Sequence, residues 1–377
     1  MIEAPGILWT IAAFLLVIGP LVFVHELGHY FVGRWFGVKA EAFSIGFGRE
    51  IAGWTDRRGT RWKVGWLPLG GYVRFAGDMN PASQPDPEWL ALPPEERAKT
   101  FQAKPLWQRA LIVLAGPVTN FLVAILILIG FALAFGDLRT PAVANSVEAG
   151  SAAEAAGIRP GDRITALGGR EIETFNDLAR FARLRPAEMV PLTFVREGRS
   201  IEGEIRIGVA VEQDRFGNSY RVGRLGIGGG MPQATPVSLL AAPGVAVRQT
   251  VEIVQDMVSA IGQIITGRRS VKELGGPLKI AEISGQQAAL GLTPFIFLVA
   301  LISINLGFIN LLPVPMLDGG HLLFYAIEGV TRRPVNPVAM EWAFRGGLVA
   351  LLALMVFVTT NDLASFGVWN RIAGLIG

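Results

Sequence analysis

The chain has 377 residues, 51% of them hydrophobic and 17% charged, with a mean hydropathy of +0.43; this is too apolar for an ordinary soluble domain and reads as a multi-pass membrane protein with a soluble insert. The 34 Lys and Arg against 31 Asp and Glu give a pI of about 9.4, but no long basic tract with interleaved aromatics is present, which argues against a nucleic-acid partner. With no cysteine, disulfides, a thiolate nucleophile and thiolate metal ligands are excluded, so a metal must be held by Asp, Glu or one of three histidines, His25, His29 and His321.

The first apolar segment runs from about Ile7 to Val32. Met1-Ile2-Glu3-Ala4 lacks the basic start of a secretory signal and no small-residue cleavage site follows, so the segment is read as a retained transmembrane helix. Inside it stands His25-Glu26-Leu27-Gly28-His29. On a helix, positions i and i+4 share a face, so the two imidazoles can meet one metal with Glu26 beside them as a general base, the zinc-peptidase arrangement. The bland alternative is a pair of histidines satisfied within a helix bundle. Ionisable residues inside a membrane segment are costly and usually functional, which favours the metal.

After this helix, Phe43-Ser44-Ile45-Gly46-Phe47-Gly48 and the run from Trp62 to Phe75 read as strands and turns rich in glycine and in aromatics suited to a membrane interface. Such an element either offers an unpaired edge to an extended peptide or is an ordinary surface hairpin. Asn80 to Lys104, rich in Pro, Glu and Ala, reads as a mobile loop. Three further segments approach the ~20 apolar residues a span needs: about Ala110 to Phe135, with Gly116-Pro117 and Asn120; about Pro294 to Leu312, with Asn305 and Asn310; and about Gly346 to Thr360, which is short and has its boundary open to a continuation past Asp362. The basic residues cluster between the first and second spans and between the third and fourth. By the positive-inside rule those connections are cytoplasmic, the long insert faces the other side, and the histidines sit toward the cytoplasmic end of their helix.

The insert reads as a small α/β module. A short helix ends at Gly157, a Pro-Gly turn leads into a strand from Arg163 to Leu167, and a second helix lies near Asn176 to Phe181. Paired strands, Val190 to Arg196 and Ile201 to Ile207, flank Glu197-Gly198. Its stretch Ser151-Ala152-Ala153-Glu154-Ala155-Ala156-Gly157-Ile158-Arg159-Pro160-Gly161-Asp162-Arg163-Ile164 resembles the signature of bacterial PDZ domains. That resemblance implies either peptide binding on a sheet edge or a filter that excludes bulky ectodomains. Beyond it, Val247, Val251, Val254, Val258, Ile261 and Ile265 form one stripe of an amphipathic helix from about Val245 to Ile265. The stripe suits a membrane face or, more commonly, core packing.

A catalytic zinc needs a third protein ligand and an open position. Asn310-Leu311-Leu312-Pro313-Val314-Pro315-Met316-Leu317-Asp318-Gly319-Gly320-His321 closes the third span at the same membrane side as His25 and His29. Asp318 ranks first as the ligand, His321 second and Glu50 third. Together, the His-Glu-x-x-His helix, the Gly46-Phe47-Gly48 segment, the PDZ-like insert and the Asn310 to Gly319 stretch resemble, in order and over nearly the whole chain, the site-2 protease family. The nearest branch is that of the bacterial regulator of sigma-E protease, although some of its members carry two PDZ-like modules.

The resemblance implies an intramembrane zinc endopeptidase of the bacterial inner membrane that works in regulated intramembrane proteolysis. It implies that His25, His29 and Asp318 bind Zn2+, that Glu26 is catalytic, and that Asn305 and Asn310 help hold substrate or orient the site; Gly46, Phe47 and Gly48 of the strand-like element are the further candidates for substrate contact. The implied partner is a single-span protein such as an anti-sigma factor or a remnant signal peptide. An inactive PDZ-bearing scaffold and a metal or proton transporter are the other classes, though no repeated half is evident. The expected division is residues 1–135 with two spans and the β-rich loop, 136–230 as the PDZ-like module, 231–292 as a linker with the amphipathic helix, and 293–377 with the last two spans.

Overall fold

The computed structural model describes residues 6–78, 91–213, 219–266 and 275–365. In chain order these form helix α1 (Ile7–Trp35), strands β1 (Ala40–Thr55) and β2 (Arg61–Phe75), the single turn α2 (Pro94–Arg97) and helix α3 (Leu106–Phe135). There follow β3 (Asp137–Arg139), β4 (Ser146–Val147), α4 (Ala152–Ala155), β5 (Arg163–Leu167), β6 (Arg170–Glu171) and α5 (Phe175–Arg183). Next come β7 (Met189–Arg196), β8 (Arg199–Arg206), β9 (Gly208–Gln213), β10 (Ser219–Arg224), β11 (Ile227–Gly228) and β12 (Gln233–Thr235). The chain closes with α6 (Ala242–Ile265), α7 (Pro277–Leu290), α8 (Leu292–Asn310), α9 (Asp318–Thr331) and α10 (Pro337–Ser365). Two compact units result, one of Met1–Leu128, Val247–Met257 and Lys272–Gly377, the other of Ile129–Ala246 and Val258–Val271.

Among the described residues, α1, α3, α8 and α10 are long and apolar enough to cross a membrane, and their most apolar windows are only 17% to 28% buried within the protein. The remaining apolar surface has no polar face to offer water, so it needs a hydrocarbon solvent. α10 is longer than the span expected from about Gly346 to Thr360. Glu341, Arg345 and Asp362 lower its hydropathy, yet each is accommodated. Arg345 pairs with Glu341 one turn away, and Asp362 accepts the backbone N–H of Gly276 at 3.1 Å and of Lys279 at 3.0 Å, satisfying orphan donors at the start of α7.

In the first unit, Ala13, Val17 and Leu21 of α1 pack with Phe295 of α8, and α7 lies along α1. Residues 277–290 therefore belong to the helical unit, within the stretch 231–292 where a linker was expected. β1 and β2 are antiparallel and fold over each other twice. Phe43 is opposite Val73 on one side and Trp62 on the other, while Trp54 faces Trp62 beyond it. Gly46, Gly48 and Gly70 lie at φ +84°, +83° and +109°, conformations that L side chains rarely adopt, and permit these bends. Phe43 is buried against Trp62, ring centroids 4.4 Å apart, and Tyr30 joins it to α1. The segment expected as a mobile loop is partly fixed. Thr100 and Phe101 are buried, with Phe101 stacked on Phe75; residues 79–90 lie outside the described residues.

In the second unit, β6, β5, β7 and β8 form an antiparallel sheet in that order over a core of Ile164, Leu167, Leu178, Phe181, Leu192, Phe194 and Ile205. Its period-2 strands and the tight turn at Glu197 and Gly198, both at positive φ, were legible from the sequence. The unit extends past the expected limit at residue 230, because β12 pairs with β3. On α6 the expected stripe is not core. Val247, Val251, Val258 and Ile265 are exposed, whereas Ala242, Val245 and Ala246 are buried.

Asp162 of the Gly-Asp signature has a structural task. It accepts from Arg196 Nε at 2.8 Å, from Arg196 Nη2 at 2.7 Å and from the Arg159 amide at 2.7 Å. The Arg196 hydrogen bonds, outweighing burial, hold its carboxyl below the usual carboxylate range. A depressed folded pKa contributes stability above the unfolded pKa of about 3.9 that is lost as pH falls through the folded value. Arg196→Met in the full-length protein is expected to raise hydrogen exchange at the β5 and β7 amides at neutral pH and to remove much of the extra exchange seen in wild type on acidification. An unchanged acid profile refutes this assignment.

Candidate metal centre

α1 presents His25 and His29 on one face because four residues make about one helical turn. Their Nε2 atoms are 3.2 Å apart, and Asp318 Oδ2 lies 3.2 Å from His25 Nε2 and 3.6 Å from His29 Nε2. These are the one set of three or more metal-ligating side chains that converges among the described residues, all within 4.8 Å. A tetrahedron with ~2.0–2.1 Å bonds has edges of about 3.3 Å, so the donor spacing suits zinc with one corner left open. Asp318 Oδ2 is buried without a hydrogen-bond partner, an orphaned acceptor that a cation would satisfy.

Each donor is set by the chain around it. His29 Nδ1 lies 2.8 Å from the Ile112 carbonyl, and His25 Nδ1 lies 2.9 Å from the Asn120 amide; both partners are on α3. The two helices approach closely because they carry glycine at the contact. A Cβ on Gly28 would stand 2.5 Å from the Ala115 carbonyl, and one on Gly116 would stand 2.5 Å from His29 Cε1 and 2.9 Å from His25 Cε1. Asp318 opens α9, where a carboxylate is favoured by the helix N-terminus. The loop before it turns back on itself, with Met316 at φ +80°. Gly319 and Gly320 admit the loop carbonyls of Leu311 and Val314 at distances closed to a Cβ. Farther along α9, Glu328 pairs with Arg109 of α3 at 2.9 Å, and the Arg109 guanidinium lies over the Tyr325 ring, so one arginine of α3 holds two successive turns of α9.

A cavity of about 180 Å³ adjoins the trio, lined among others by Glu26, Gly71, Val73, Asn310, Met316 and His321. Glu26 is 8% exposed and shares the cavity wall with Gly71 and Val73 of β2. Gly71 permits this approach, since a Cβ there would stand 2.9 Å from Glu26 Cγ. Residues 71–75 pair only with the first half of β1, so their other edge has no strand partner among the described residues.

The structure thus brings His25, His29, Asp318, Glu26 and Asn310 together. His321 reaches the cavity, packed on Phe344, but is outside the converging trio. Glu50 is removed from contention: it is ion-paired with Arg61 on β2. Asn305 does not line the cavity, and neither do Gly46, Phe47 and Gly48; these three shape the bend, with Phe47 stacked on Tyr72, while residues 71–75 face the site. Sequence reading singled out neither Gly71 nor the Ile112 carbonyl, and it assigned no role to Gly116 or Asn120. A buried amide in a span was the available signal for Asn120.

Residues 13–354 match the model of peptidase family M50. A protein of Agrobacterium fabrum bearing a zinc metalloprotease name is 44% identical over 364 residues, covering 94% of this chain and 96% of its own. A similarly named protein of Rhizobium meliloti is 43% identical over 360 residues, with 94% and 96% covered. Metalloprotease MmpA of Caulobacter vibrioides is 37% identical over 397 residues, with 98% and 99% covered. With a family model matched over residues 13–354 and relatives covered over 96% or more of their own length, the chain belongs to peptidase family M50.

Proposed function

We propose that this membrane protein is a zinc metalloendopeptidase that cleaves single-span proteins within or near their transmembrane segments. The observation that carries the reading is the convergence of His25, His29 and Asp318 beside the buried Glu26. Zinc supplies a Lewis acid that polarises a carbonyl and makes water a nucleophile at neutral pH. Glu26, outside the ligand trio, takes the proton from that water as general base and delivers it to the leaving amine. Asn310 contributes an amide at the cavity wall for the substrate backbone.

A peptide bond in a membrane helix is hidden by its own hydrogen bonds and must be unwound before attack. The unpaired edge of residues 71–75 supports a route: an extended substrate segment adds to it as a strand, exchanging helical hydrogen bonds for sheet ones next to Glu26. The substrate class is that of anti-sigma factors and remnant signal peptides. The basic connections support an orientation with the centre toward the cytoplasmic side of a bacterial inner membrane. The PDZ-like module faces the opposite compartment and restricts which substrates enter, in regulated intramembrane proteolysis.

Purified protein in detergent or liposomes is expected to cleave a single-span model substrate, to stop when a chelator removes the metal, and to recover with zinc. Introducing Gly or Pro into the middle of the substrate span should raise cleavage several-fold. Chelator-resistant cleavage overturns the metal reading, and cleavage that ignores helix-breaking residues overturns the unwinding step.

A further inference from the structure

The two histidines are anchored through their second ring nitrogens by chemically different partners. His29 Nδ1 faces the Ile112 carbonyl at 2.8 Å. A carbonyl can only accept, so His29 carries its proton on Nδ1 and turns a lone pair at Nε2 toward Asp318. His25 Nδ1 faces a side-chain amide instead, that of Asn120, at 2.9 Å, and an amide can either donate or accept there.

With Nδ2 toward the ring, the Asn120 amide donates to His25 Nδ1. The proton of His25 then lies on Nε2, the atom that meets His29 and Asp318, and Asn120 Oδ1 stays buried without a partner. A half-turn about the Cβ–Cγ bond places Oδ1 against Nδ1–H and frees the Nε2 lone pair. Because oxygen and nitrogen of an amide are distinguished by their hydrogen bonds, the group on Nε2 decides between the two. The half-turn leaves one amide atom unpartnered in either orientation, so only a cation on Nε2 favours the accepting one.

Asn120 itself is fully buried and its backbone is fixed from a third helix, since Ser303 Oγ of α8 donates to the Asn120 carbonyl at 2.7 Å. We propose that Asn120 is a positioning residue for the metal: its Oδ1 accepts from His25 Nδ1–H, holding His25 in the tautomer that offers Nε2 to zinc. Orienting partners of this kind contribute about 10–100-fold to metal affinity. This inference rests on the zinc reading above.

The test is zinc affinity of the purified full-length protein by competition with a chromophoric chelator, joined to the visible spectrum of the cobalt-substituted protein. Asn120→Leu, similar in size and unable to accept, is expected to bind zinc about 10–100-fold more weakly and to shift the cobalt bands. Asn120→Asp, which can only accept when ionised, is expected to stay within a few-fold of wild type or to bind more tightly. If Asn120→Asp loosens zinc as much as Asn120→Leu, the accepting role is overturned. Should Asn120→Leu fail to fold, the aspartate variant alone decides between an accepting and a donating amide. Wild-type protein that binds no zinc refutes the metal reading itself, whereas wild type and both variants binding equally refutes only the role of Asn120.

Discussion

Glu26→Gln is expected to abolish measurable proteolysis while leaving the zinc content at one ion per chain. The glutamine is nearly isosteric and lies outside the donor trio of His25, His29 and Asp318. What it lacks is basicity: a neutral amide cannot take the proton of the attacking water or return it to the departing amine. A positioned general base contributes about 10²–10⁴-fold to rate, so cleavage of a single-span substrate should fall by at least that range with KM little changed. Metal analysis and cleavage are measured on the same preparation. Wild-type rates with Glu26→Gln remove the proposed mechanism, and loss of zinc in the variant shows that Glu26 belongs to the ligand set.

Gly116→Ala is the second large effect, and its sign runs against helix propensity. Alanine is preferred to glycine inside a helix by about 1 kcal/mol, a preference reduced here because Pro117 follows and crowds the Cβ of the residue before it. The added methyl, however, meets both ligand imidazoles, 2.5 Å from His29 Cε1 and 2.9 Å from His25 Cε1. The rings must move, and a ligand displaced by an ångström no longer completes the tetrahedron. Zinc affinity and cleavage are expected to fall about 10²-fold or more, with helical circular dichroism retained. Gly130→Ala, on the same helix with nothing within 4 Å of the added atom, is the control and should leave zinc binding unchanged. Equal zinc binding in Gly116→Ala and wild type contradicts the helix contact described above.

Both predictions concern side chains whose neighbours lie far away in the chain, and they mark the boundary between what is local and what is not. The His25 and His29 pairing, the apolar runs of the four long helices and the alternating strands of the inserted module are repeats of period 3.6 or 2 set within one segment. They were readable without any fold. The continuation of α10 past Asp362 was open to the sequence, but its start at Pro337 was not, because hydropathy registers Glu341 and Arg345 as two charges and cannot register that they pair with each other on the helix.

The sequence by itself determined that a membrane helix carries a metal motif, that an α/β module interrupts the spans, and that Asp318, His321 and Glu50 were the candidates for a third ligand. Asp318 already ranked first among these; what tertiary structure adds is the convergence of its carboxylate with the two imidazoles. Asp318 converges with α1 because glycines let α3 touch the histidines and the turn through Met316 swings the start of α9 toward them. Glu50 is spent on Arg61, and residues 71–75, not the glycine-flanked Phe47, form the edge beside Glu26. The physical reason is common to all three. Close approach depends on the absence of a Cβ on one segment meeting the side chains of another, and strand register depends on which halves of two strands pair. Neither property belongs to a single stretch of residues.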